Sequence, residues 1–490
     1  MKAKSIISAL VMFGVATVVS AQNMDDAIRY TNIVPSGTAK FVSMGGAMGA
    51  IGGDLTAITV NPAGIGVYRN GQMTISPMWT TDKETAKYYG TTAKSSSSSF
   101  RFSNVGVASA LPIDETGLVS FNMGFVYNRL TNFDGGYSVK GYNDVSSLLD
   151  KAVDDFNADY WDRDPFYNAD LFIYDSSARR YINDYEDFGV YGSNQRQSVT
   201  TDGSMGEYSF LMGANINNEW YIGGSLNIVH VDYRHVSKYT EEPDIEDFTI
   251  DYFNVTDEFW TTGGGVNLKL GIIGWLSENL RVGAAFHTPT ILSLTDDYGT
   301  KVESSVWYSE KDDNTGDVTY FTESQSYNST GTIDWRLTMP SKFIGSIAIV
   351  APEHGMIDLD CEVVNYSAAT VNDDDMQIGN EYDELNGRIS DDLRTTVNLR
   401  VGGEMTFGPA VARAGFGFYG SPYKSSHVNS SAHQLVYSIG AGYRGHLAFI
   451  DFGYNLRTKK ESKFIYTYNE SEAKTKSRIG NFVLTAGFRF

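Results

Sequence analysis

The chain has 490 residues, with 59 acidic against 38 basic side chains and a formal net charge of -21. That balance argues against nucleic-acid binding, which needs a basic face for the phosphates. The single cysteine, Cys361, excludes an intramolecular disulfide and any thiolate-based metal cluster within one chain.

At the N-terminus Lys2 and Lys4 precede an apolar run from Ile6 to Val19 and a small-residue site, Val19-Ser20-Ala21. This predicts a secretory signal peptide over residues 1–21, cleaved after Ala21. The run is too short for a retained anchor, because about 20 apolar residues are needed to span hydrocarbon. Beyond it no apolar stretch is long enough for a spanning helix. Yet 31 Tyr, 27 Phe, 7 Trp and 49 Gly are many, a combination found in transmembrane β-barrels, whose strands put only alternate residues into lipid.

Residues 22–70 differ in character from the rest of the chain. Phe41 to Asp54 and then Leu55 to Gly66 are apolar but Gly-rich. Each helical Gly costs about 1 kcal/mol relative to Ala, so the segment is a poor free-standing helix. It needs surrounding walls, and a barrel lumen would supply them, so 22–70 is predicted to be a hatch plugging the barrel. Gly45, Gly49 and Gly53 match the small-xxx-small pattern of membrane helices, but length, Asp54 and Pro62 exclude that reading.

Residues 71–490 are predicted to form a transmembrane β-barrel. Its fourteen strands fall at 71–80, 99–111, 117–130, 206–216, 219–235, 263–274, 279–294, 331–349, 356–367, 393–407, 410–421, 433–444, 446–457 and 479–490. Short connections such as Gly408-Pro409 alternate with long ones, the arrangement that puts short turns and both termini on the periplasmic side. Val119, Phe121, Met123, Phe125 and Tyr127 interleave with Ser120, Asn122 and Gly124. Val266, Leu268, Leu270 and Ile272 interleave with Gly265, Asn267, Lys269 and Gly271. A soluble sandwich would alternate too, but its second face would meet water and need not be so rich in Gly.

The longest connection, 131–205, is acidic and aromatic, with Trp161, Phe166, Tyr167 and Phe172 among many Asp. It is predicted to be an extracellular insertion, carrying a short helix over Val145 to Phe156. The same alternation sends Asn398, Arg400 and Glu404 into the lumen from one strand and Arg413 from the next. A two-residue hairpin at Gly408-Pro409 sets Glu404 opposite Arg413 as a cross-strand ion pair. Lys269, Arg281, Asp451 and Arg489 join the inward set. Such cations are read first as a structural network and second as partners for a ligand carboxylate. The last strand carries Phe482, Leu484, Ala486, Phe488 and a terminal Phe490, which resembles the signal read by the barrel-assembly machinery.

Apparent catalytic signals dissolve on inspection. Gly415, Gly417 and Gly420 match a dinucleotide fingerprint, but the residues alternate as a strand and no helix follows. His230 and His235 are five apart, on opposite faces of a strand, which disfavours a shared metal. No Gly-x-Ser-x-Gly elbow is present. No catalytic residue, metal or cofactor is predicted.

The run Gly45-Gly46-Ala47 through Gly53-Asp54 to Asn61-Pro62-Ala63-Gly64 resembles the N-terminal hatch signature of the FadL-type outer-membrane transporters. The segments Arg281 to Pro289, Leu337 to Pro340 leading into Gly345, Arg413 to Phe418 with Pro422, Tyr443-Arg444 and Asp451 to Tyr454 match that family's pattern in order. The resemblance covers most of 30–490. It implies fourteen strands, a hatch, a hydrophobic pocket, and lateral release of ligand into the membrane through an opening made by an inward kink of the third strand. Gly124 is the candidate for that kink, and Met44, Met48, Ile51 and Ile58 of the hatch are candidates for the pocket wall. The implied function is passive uptake of hydrophobic or amphiphilic compounds such as long-chain fatty acids. The alternative is an interaction barrel that binds protein partners through its loops, as a secretion-system shuttle or an accessory subunit.

Overall fold

The computed structural model describes residues 24–34, 36–113, 117–158, 164–311, 318–373, 382–466 and 472–490. The predicted signal peptide, residues 1–21, and Trp161 lie outside them.

Fourteen antiparallel wall strands close into a barrel. They begin with β1 (Gln72–Tyr88), β2 (Thr91–Pro112) and β3 (Leu118–Asn132), the last continued by β4 (Gly135–Asn143). The next connection holds α3 (Leu148–Ala158), the small hairpin β5 (Ile173–Asp175) and β6 (Arg180–Ile182), and α4 (Asp184–Phe188). Then come β7 (Ser193–Ile216), β8 (Trp220–Pro243) and β9 (Ile250–Trp275). The seventh wall strand is β10 (Leu280–His287) continued by β11 (Thr290–Lys311), and the eighth is β12 (Val318–Met339) continued by β13 (Lys342–Ala351). β14 (Gly355–Asn365) is followed by the short β15 (Thr370–Asp373) and by α5 (Asp383–Asp392). β16 (Thr395–Phe407), β17 (Ala410–Tyr419), β18 (Gln434–Arg444), β19 (Ala448–Lys463) and β20 (Ala473–Arg489) complete the wall. β1 pairs with both β2 and β20, so no edge is left at the closure.

The alternation that predicts the strands also sets their faces. Val266, Leu268, Leu270 and Ile272 of β9 are 40–61% exposed on the outside, while Asn267 and Lys269 between them are buried in the lumen. An apolar outer band of this kind, with lumen-facing polar residues, is the pattern of a barrel solvated by lipid. Cys361 faces outward between buried Asp360 and Glu362.

Several strands run well past the predicted limits. β1 and β2 continue as a hairpin through 81–98, and β8 continues past the predicted end at 235 to Pro243. Outside hydrocarbon both faces meet water, so the apolar alternation ends while the ladder does not. For the same reason 131–205 is not a single loop. Gly135–Asn143 and Ser193–Thr201 pair as β4 and β7, and the connection proper is 144–192. Its helix α3 starts at Leu148 and buries Leu149, Val153 and Phe156 at helical spacing.

The lumen is filled by residues 24–70. α1 (Met24–Thr31) and α2 (Ala39–Ser43) are followed by two 3-10 turns, Ala57–Thr59 and Pro62–Val67. Nearly every side chain here is buried.

Candidate functional site

The hatch is held by hydrogen bonds from lumen-facing wall residues to its irregular backbone, which has no ladder of its own to satisfy it. Asn61 caps the turn Pro62–Val67 by accepting from Ala63 N at 3.1 Å. Its amide donates to Gly49 O at 2.8 Å and to Ile272 O of β9 at 3.2 Å. Pro62 occupies the first position of the turn, where a missing N–H costs nothing. Ala63 packs with Tyr221 and Ile273 of the wall. Gly64 meets Gly52 so closely that its carbonyl accepts from Gly53 N at 3.2 Å. The Asn-Pro-Ala-Gly segment is thus a bolt between two parts of the hatch and the barrel.

A second set of anchors comes from β14. Asp360 accepts from Met48 N and Gly49 N at 3.2 and 3.1 Å, and Asp358 accepts from Ala50 N at 3.2 Å. Arg400 stands beside this row, 3.1 Å from Glu362 and 3.6 Å from Asp360. On the next strands Arg413 and Glu404 are register partners, with Nε 2.6 Å from Oε2, and Arg413 also meets Asp451 at 2.7 Å. Arg444 shares Glu404 at 3.0 Å. Arg400, Glu404 and Arg413 are all buried and occupied by one another or by acids of neighbouring strands, so they fix the wall and the hatch. Among the described residues no three side chains gather as metal ligands.

Two cavities lie in the lumen. The smaller, of about 70 Å³, sits between Thr59 and Val60 of the hatch and Lys269, His287 and Lys342 of the wall. The larger, of about 720 Å³, lies on the side of the hatch opposite the short turns. One wall of it is apolar and aromatic: Met24 and Ile28 of α1, Leu130, Phe133, Tyr233 and Phe259. Another part of the lining is charged, with Asp82 and Glu84 of β1 and Arg457, Lys459, Glu461 and Lys463 of β19. Arg29, paired with Asp26, stands 4.3 Å over the Tyr233 ring.

Met44, Met48, Ile51 and Ile58 do not line either cavity, which corrects the expectation for them. Met44, Met48 and Ile51 form a core with Phe41, Ala57, Val60 and the wall residues Ala285, Ile344 and Ala348. Ile58 packs with Leu55, Ile65, Val126 and Leu211. Their apolar surface is spent on seating the hatch, and the cavity is lined by α1 instead. The charged wall carried a legible signal: Arg457, Lys459, Glu461 and Lys463 share one face of a strand at period two.

Beside the larger cavity the wall loses its ladder. β2 and β3 pair only from Asn104↔Asn128 down to Pro112↔Ser120, although both strands continue upward. β3 shifts register against β7 between Arg129 and Thr131 and runs on as β4. Above Asn104 the gap is crossed by side chains: Arg129 Nε donates to Phe102 O at 3.0 Å, Arg101 binds Asp134 at 2.9 Å, and the Asn132 amide lies 3.0 Å from Ser99 Oγ. Leu130 to Tyr137 of this seam line the cavity. Gly124 lies below it, paired with Ala108 on one side and Leu211 on the other. A Cβ there would stand 3.1 Å from Ile65 of the hatch, so Gly124 is a seat for the hatch within an unbroken ladder.

The axial end of the barrel is closed by the 144–192 connection, well outside the lipid-facing band. Glu241 is fully buried there, accepting from Tyr185 and Tyr239 at 2.8 and 2.5 Å and from Ser193 at 3.0 Å. Burial pushes its carboxyl above the usual range, against these donors. The same burial, with Glu241 beside it, raises the Tyr185 phenol. Asn143, Gln195, Tyr88 and Tyr466 form an adjoining hydrogen-bonded network.

No family model and no curated protein match this sequence. The architecture is shared with solved structures. A FadL homologue of Pseudomonas aeruginosa superposes with a TM-score of 0.56 at 11% identity, over 94% of this chain and 99% of that one. The P. putida toluene transporter TodX gives 0.52 at 12% identity, with the same coverage. The Ralstonia pickettii toluene transporter TbuX gives 0.50 at 14% identity, again over 94% and 99%. The fold is therefore that of the FadL-type outer-membrane channels.

Proposed function

We propose that this FadL-type barrel is an outer-membrane passive transporter that captures hydrophobic or amphiphilic compounds, long-chain fatty acids among them, and releases them sideways through its wall into lipid. The observation that carries this reading is the seam between β2 and β3, where a cavity of about 720 Å³ is separated from the bilayer by side chains rather than a ladder. An apolar tail gains roughly 25 cal/mol per Å² kept from water, so a route from cavity to lipid needs no aqueous channel. The two-faced lining supports amphiphiles over plain hydrocarbons, because burying so many charges beside a purely apolar ligand would be costly. In this reading the chain is exported by cleavage after Ala21 and residues 22–70 are the hatch. Both termini face the periplasm, and the assembly machinery reads Phe490.

The test is a reversible staple. Ser99→Cys with Asn132→Cys, in a Cys361→Ser background, joins two side chains already in contact across the seam. Oxidation is expected to stop uptake of a radiolabelled long-chain carboxylate by cells expressing the chain, and reduction to restore it. Uptake that continues through the oxidised form would sink lateral release.

A second reading has its own observation. Tyr174, Phe188 and Val190 of the 144–192 connection that caps the barrel, with Tyr142 and Val145 at its base, are 42–55% exposed, and exposed apolar groups in this cap favour a protein partner. Tyr174→Asp with Phe188→Asp would then release a co-purifying protein while leaving uptake unchanged.

A further inference from the structure

The larger cavity has a mouth that faces sideways. Of its described lining residues only Arg388, Val428 and Phe464 are exposed, the two apolar ones by 45 and 48%. They come from three places: α5, the connection between β17 and β18, and the end of β19. That connection is strapped at both sides. Lys424 Nζ donates to Ser390 O at 3.0 Å, and Asn429 exchanges two hydrogen bonds with the Ser462 backbone, at 3.0 and 2.7 Å.

The mouth also lies low on the barrel. Lipid-facing Val397, Phe416 and Tyr437 stand within three residues of the cap-side ends of β16, β17 and β18. On the far side β7, β8 and β9 rise many residues higher and carry the cap. Past the mouth the cavity continues along Lys463, Lys459 and Arg457. Arg457 forms no ion pair among the described residues.

We propose that ligand enters by this side portal, at the level of the membrane surface, as an anionic amphiphile. Its head passes Arg388 toward Arg457 of β19, Lys459 and Lys463 being held by Glu461, and its tail slides over Val428 and Phe464. The proposal rests on the transport reading for the later steps, but the portal is a binding surface in its own right.

The experiment uses the full chain with Cys361→Ser and Val428→Cys, on cells, with a bulky membrane-impermeant maleimide as the label and hexadecanoate as the probe. Hexadecanoate is expected to slow labelling of Val428→Cys about tenfold, and Arg388→Glu to remove that protection. A Tyr174→Cys control on the cap should label at the same rate with or without it. Labelling of Val428→Cys that hexadecanoate does not slow would overturn the portal, whatever the uptake. Protection without any uptake would keep the portal and remove the transport reading, and protection together with uptake that the label abolishes supports both.

Discussion

Gly271 of β9 and Asn61 of the hatch occupy one space: a Cβ built on Gly271 would run into Asn61 Oδ1. The wall glycine is what lets the asparagine reach Ile272 O while capping its own turn. Gly271→Ala is therefore expected to push Asn61 off its acceptors, at a cost of about 1–3 kcal/mol for polar groups left unpaired in a buried site. Single-channel recording in planar bilayers should show larger and noisier conductance as the hatch loosens. A trace like that of the parent would mean that the bolt is dispensable.

Arg413 holds Glu404 and Asp451 together, all three buried. Arg413→Ala leaves Asp451 without its cation and Glu404 with Arg444 alone, a change that costs about 3–5 kcal/mol when a buried pair is broken from one side. The barrel should unfold at a lower temperature in heat-modifiability gels. Combining it with Asp451→Asn should recover part of the loss, since the stranded charge is then gone.

Gly124 and the seam are separable. Gly124→Val adds bulk against Ile65 and Val107 O, so it should destabilise the hatch by about 1–3 kcal/mol, as overpacking does. It leaves the unpaired stretch above Asn104 as it is. Ligand uptake should therefore persist in Gly124→Val and fail in the oxidised Ser99→Cys/Asn132→Cys chain. The reverse pattern would move the exit to Gly124.

Glu241 ties the stability of the cap to pH. Its folded pKa is raised by burial, so the folded cap binds the proton more readily than the unfolded one. The associated stability is full below the ordinary carboxylate pKa and is lost as pH rises through the raised value. Proteolysis within 144–192 should be slower at pH 4 than at pH 8, by about fivefold if the effect reaches 1 kcal/mol. Glu241→Gln should flatten that dependence while keeping the Tyr185 and Tyr239 contacts in place.

Phe490 closes the barrel at its base, exchanging backbone hydrogen bonds with Gly71 at 2.8 and 3.0 Å. Deleting Phe490 is expected to lower the amount of assembled, heat-modifiable barrel in cells severalfold. Purified chain refolded in detergent should be affected far less. Equal losses in both settings would assign the residue to stability alone.

The barrel, its fourteen strands and the residues that face inward are all legible in the chain alone. Each of these comes from a period-two pattern that lipid on one side and lumen on the other impose locally, so Leu268 and Lys269 reveal their faces to any reader of the chain. Glu404 opposite Arg413 is legible too, because a two-residue hairpin leaves one register. Where the strands leave the bilayer the pattern ends, and so the hairpin at 81–98 and the strand extensions at 236–243 and 250–262 could not be seen. How parts distant in the chain share the lumen is settled only when they are folded together. Met44 and Met48 are as apolar as Met24 and Ile28, but the first pair meets Ile344 and Ala348 and is used up in seating the hatch, while the second is left to line the cavity. The seam was hidden for the same reason. A missing ladder is a relation between Asn104 and Asn128 and the strands above them, and neither strand carries it alone.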